Sequence, residues 1–73
     1  MNDLAHPPVF DTGQRVRIVG LSQLAYPHFL RDAVGTVYSM RENRATQTRR
    51  YLVDYAPSYG RHFVRETHLE VAS

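Results

Sequence analysis

The chain has 73 residues, a net charge of +2 and no cysteine. A domain of this size buries only about 60% of the surface its unfolded chain exposes, which disfavours a large internal cavity, and the missing thiols exclude disulfide staples, thiolate metal ligands and a cysteine nucleophile. Every basic residue is arginine, so each cation is a planar, permanently charged fork suited to phosphate, carboxylate or an aromatic face.

Residues 1–9, with Pro7 and Pro8 adjacent, read as a flexible lead-in without a helical pattern, and the folded domain is expected over 10–73. The opening residues lack the basic and apolar blocks of a signal peptide, and no apolar run approaches the roughly 18–20 residues of a membrane span. The expected setting is the cytoplasm, away from membranes. In "FDTGQRVRIVG", Val16 and Ile18 alternate with Arg15 and Arg17 behind a turn at Asp11–Gly13, as in a half-buried first strand.

Residues 20–32 show no period of two, and Pro27 forbids a continuous helix, so a long loop with one helical turn at Pro27–Leu30 is expected. "AVGTVYSM" supplies a second strand, with a bulge or a close backbone approach at Gly35. The polar segment 41–50 then reads as an extended hairpin tip. "YLVDY" resumes the alternation with Tyr51, Val53 and Tyr55 on one face, and Pro57 in "APSYG" marks a turn. "RHFVRE" alternates again, and "ETHLEV" predicts a short helical turn leading into a last strand at Leu69–Ala72. These pieces predict an all-β fold, a small SH3-like barrel of about five strands whose closure would remove most sheet edges.

The linked motifs resemble a family. A G-x-R-V-R opening (Gly13, Arg15, Val16, Arg17), then Pro27, Phe29, Leu30 and Arg31 before the Val34-Gly35-Thr36-Val37 run, then Tyr51 and Val53, and finally Leu69 and Glu70, resemble the SH3-like barrel at the C-terminal end of the nitrile hydratase β subunit, a family shared with thiocyanate hydrolase. The likeness spans about residues 10–72. Asp32 departs from it, standing where the family usually has glycine, and the larger helical part of the β subunit has no counterpart here. In that enzyme the metal lies on the other subunit, so the resemblance implies a non-catalytic binding or assembly module that packs against a protein partner or a second copy of itself. The contact surface would be Tyr26, Phe29, Arg31, Tyr51 and Tyr55. A small plasmid-encoded dihydrofolate reductase also opens with G-x-R-V-R, but "HFV" at 62–64 stands where its active-site segment would fall.

Neither catalysis nor a cofactor is expected. His62, Glu66 and His68 span a strand-to-turn junction and share no face suited to a metal. Ser58 and His62 lack an oxyanion arrangement, and Asp32 and Asp54 read as surface or ion-paired groups. Within 41–50, Arg41, Arg44, Arg49 and Arg50 face only Glu42 as a counter-charge. Beside Tyr38 and Tyr51 they define the alternative, a nucleic-acid-binding barrel like the KOW domains, with guanidinium groups on phosphates and rings under bases.

Overall fold

A computed structural model describes residues 6–72. Five antiparallel strands form one sheet: β1 (Arg15–Ile18), β2 (Val34–Asn43), β3 (Thr48–Asp54), β4 (Arg61–Arg65) and β5 (Leu69–Val71), in the order β4-β3-β2-β1-β5. The all-β fold, the long connection between the first two strands and the short helical turn before the last strand follow the expectation. The sheet is open, however. No pairing joins β4 to β5 among the described residues, so both remain edges.

Period-two alternation builds the core. Val16, Ile18, Val37, Tyr51, Val53, Tyr55, Val64 and Leu69 turn inward, and Phe10 and Leu30 from the flanking loops join the same cluster. The turn before β1 is set by Gly13 at φ 92, a left-handed conformation that glycine adopts without steric cost, and its N–H donates to the Val37 carbonyl at 2.8 Å. Gly35 is needed for a different reason. A Cβ there would run into the Val53 side chain and come within 2.9 Å of the Tyr55 ring, so the predicted close approach is real.

The bulge lies just beyond it. Val37 pairs with Val53, but Ser39 pairs with Leu52, so one extra residue at Tyr38 shifts the phase of β2. From there Met40 and Glu42 point to the Tyr51 side of the sheet, and Arg41 points outward beside Arg50. The polar segment 41–50 is mostly strand. The Arg41↔Arg50, Glu42↔Arg49 and Asn43↔Thr48 pairs carry the ladder up to a turn over residues 44–47.

Two 3-10 segments fill the long loop. The expected turn is found at His28–Leu30, where Leu30 N–H donates to the Pro27 carbonyl at 3.0 Å and the leucine side chain is buried. The other segment, Gly20–Ala25, was not expected, because a helix of three residues per turn leaves no 3.6-residue signature. Asp32 ends the loop at φ 64, a left-handed conformation usually filled by glycine and, among other residues, most readily by Asn or Asp. No helix is long and apolar enough to cross a membrane among the described residues.

The lead-in enters the described chain at His6. Residues 6–10 are tied down there: Arg49 donates to the His6 and Pro7 carbonyls, and the Tyr51 hydroxyl accepts from the Val9 and Phe10 N–H groups.

Candidate functional site

Three groups of side chains bear on function. The first is an internal ion network where β3 meets the turn before β5. Arg49 is 5% exposed and Glu66 8%. The Arg49 guanidinium donates to Glu66 at 3.0 Å and to Glu42 at 2.9 and 3.0 Å, and Tyr51 Oη donates to Glu66 Oε2 at 2.6 Å. His6 completes the set through Glu66 Oε1. Burial alone would raise the Glu66 pKa, but the hydrogen bonds from Tyr51, Arg49 and His6 outweigh it and hold the carboxyl at about 2. Burial, reinforced by the bond to Glu66, pushes the Tyr51 hydroxyl above its ordinary value. Arg49 is therefore no surface cation. Every donor it offers is spent inside the protein, which removes it from the expected nucleic-acid set.

Tyr51 and Tyr55 are likewise core residues, not members of a contact surface. They lie in the same phase as Val53, on the inward face of β3, and Tyr51 packs edge-on against Phe10 at 5.3 Å. Burial pushes the Tyr55 hydroxyl up to about 12, and that hydroxyl has no hydrogen-bond partner among the described residues.

The second group is what remains of the expected partner surface. Phe29 is exposed and packs on Tyr59, with ring centres 5.0 Å apart, and on His62 at 5.7 Å. Tyr26 is half-buried; its hydroxyl accepts from the Arg65 N–H at 3.1 Å and shares a 2.7 Å bond with His68 Nδ1. Arg31 is half-buried with its Nε enclosed and unpartnered among the described residues. Beside them, Leu21 (86% exposed) and Leu24 (70%) stand three residues apart on the Gly20–Ala25 turn, where a 3-10 helix stacks i and i+3 on one side.

The third group occupies the outer face of the sheet. Arg41, Arg50 and Arg65 are successive cross-strand partners on β2, β3 and β4, all exposed. Like charges placed directly opposite one another destabilise a sheet, yet none of these three makes an ion pair among the described residues. Phe63 lies next to this rung, with the Arg50 and Arg41 guanidinium carbons 5.0 and 5.9 Å from its ring centre. Further along the same face, the Arg61 guanidinium lies 3.7 Å over the Tyr38 ring. Arg15 and Arg17 extend the face on β1. Its carboxylates are Asp54, 3.7 Å from Arg61, and Glu70, 2.7 Å from Arg17. Of the residues expected to contact nucleic acid, Arg41 and Arg50 are thus brought together, Arg44 sits on the exposed turn, and Arg49 lies on the opposite face.

Sequence reasoning named Tyr38 but passed over Arg61, Phe63 and Arg65. The available signal was the alternation of β4: with Val64 inward, Arg61, Phe63 and Arg65 share the outer side. His62, Glu66 and His68 have structural partners, His62 donating to the Tyr59 carbonyl at 2.8 Å. No group of three or more His, Asp or Glu side chains converges on a metal-sized site among the described residues.

No protein-family model, curated protein or solved structure matches the chain.

Proposed function

We propose that the chain is a binding module whose outer sheet face takes single-stranded nucleic acid. The observation that carries this reading is the Arg41–Arg50–Arg65 rung, three cross-strand neighbours that no carboxylate pairs with among the described residues. A polyanion would relieve their mutual repulsion and release its own counterions. The exposed rings of Phe63 and Tyr38, already flanked by guanidinium planes, supply stacking surface for unpaired bases, which a duplex does not present.

The test is fluorescence anisotropy with a short unstructured oligonucleotide, titrated from low salt upward. Affinity is expected to fall on a log–log plot with a slope of about 0.7 per phosphate contacted. Replacing Arg50 and Arg65 together by Gln is expected to weaken binding roughly tenfold or more and to flatten that slope, with the melting temperature held or raised. Absence of binding at low salt, or binding indifferent to salt, overturns the reading.

A second reading rests on Leu21, Leu24 and Phe29, whose exposure on one loop suits apolar packing against a protein. The resemblance to the nitrile hydratase β-subunit barrel favours it, and a left-handed Asp32 at the family's usual glycine position accords with that likeness. The two readings part on salt, because apolar association strengthens where phosphate contacts weaken.

A further inference from the structure

A cleft of about 390 Å³ opens beside the arginine rung, between the 44–47 turn and β4, lined by Asn43, Thr46, Thr48, Arg50 and Arg65. Its hydrogen-bonding capacity is one-sided. Asn43 Oδ1 already accepts from the Ala45 and Thr46 N–H groups at 3.0 and 3.3 Å, which leaves the amide NH₂ as the unspent end of that side chain. The Thr46 hydroxyl lies 2.7 Å from that of Thr48 and 3.5 Å from the Asn43 carbonyl; with Thr46 donating across the shorter contact, the Thr48 hydroxyl proton is left for the cleft. Neither the Arg50 nor the Arg65 guanidinium makes a hydrogen bond or ion pair among the described residues, and no carboxylate lines the cleft. Two cations, an amide and a hydroxyl converge on one space as donors.

We infer that this cleft is a phosphate subsite, holding a phosphate group of the bound strand with the Arg50 and Arg65 forks on its charged oxygens and Asn43 and Thr48 on the rest. The chemistry is that of an oxyanion with several acceptors and more than one possible charge, to which arginine binds bidentately. The inference rests on the nucleic-acid reading and adds a path to it. Phosphate at the cleft and stacking on Phe63, two residues before Arg65 on β4, set the line along which the bound strand crosses the sheet.

Amide and side-chain NMR during a titration with inorganic phosphate tests the subsite directly. Saturable shifts are expected at Asn43, Thr46, Thr48, Arg50 and Arg65, and phosphate is expected to compete with a 5′-phosphorylated oligonucleotide. Arg65→Gln and Thr48→Val, the latter keeping side-chain size and β-branching, are each expected to weaken phosphate binding about fivefold or more. Phe63→Ala is expected to weaken the oligonucleotide and leave inorganic phosphate unchanged. If the oligonucleotide binds but phosphate gives no saturable shift in these residues, the subsite is wrong and the nucleic-acid reading survives. If phosphate binds and no oligonucleotide does, the subsite stands as a site for a free phosphate anion and the nucleic-acid reading falls.

Discussion

The Arg49 guanidinium lies 3.0 Å from the Glu66 carboxylate with both side chains withdrawn from solvent, and it ties β3 to the turn that precedes β5. Removing one member of such a pair strands the other as a buried, uncompensated charge. Arg49→Met is therefore expected to cost about 3–5 kcal/mol, a large part of what a domain of this size has. Urea denaturation measures it. Arg49→Met combined with Glu66→Gln is expected to be less unstable than the sum of the single changes, because the second substitution removes the stranded charge. Strict additivity would show that the two groups do not depend on each other.

The same carboxyl predicts an acid limb. Glu66 titrates at about 2 when folded, against an ordinary carboxylate value of 4.5. Between those values the unfolded chain binds the proton and the folded chain does not, so falling pH favours unfolding. The contribution is complete above about pH 4.5, is lost progressively toward about pH 2, and is of order 3 kcal/mol. Stability measured by denaturant at successive pH values is expected to show this limb, and Glu66→Gln to flatten it. An equally steep limb in that variant would move the cause to other groups.

Gly35 sets a limit on the core. A methyl group there meets Val53 and the Tyr55 ring, both already buried, and overpacking of this kind costs about 1–3 kcal/mol. Gly35→Ala is expected to lower the melting temperature by about 4–8 °C for each kcal/mol lost. Gly20→Ala is the control, since a Cβ at that position meets nothing within 4 Å. Equal melting temperatures for the two variants would show that β2 and β3 do not approach so closely.

Alternation made the strands legible, and it carried more than was drawn from it. Tyr51, Val53 and Tyr55 were readable as one face, but a tyrosine suits either side of a sheet until a partner for its hydroxyl is known. That partner, Glu66, is fifteen residues away in sequence. Arg49 lies in phase with those tyrosines and Glu66 in phase with Val64, so a buried Arg–Glu pair was implicit in the pattern. The Gly20–Ala25 segment was not legible, because its leucines face solvent at a spacing that mimics no common period. Nor was the arginine rung. Its members are remote in sequence, and only the register of three strands sets them side by side.

The irregularity at Tyr38 has a consequence for the field above the sheet. Under uninterrupted alternation from Val37, Met40 would pair with Arg50, Arg41 would fall on the inner side opposite Arg49, and Glu42 would join the outer face opposite Thr48, cancelling part of that face's charge. The additional residue in β2 exchanges them, delivering Glu42 to Arg49 and Arg41 to Arg50. One residue of backbone length thus acts as a sign selector, segregating a nearly neutral chain into a balanced interior and a cationic exterior. An insertion or deletion between positions 35 and 41 would reverse that polarity without altering a single charged residue, so the potential of this protein is encoded in spacing as much as in composition.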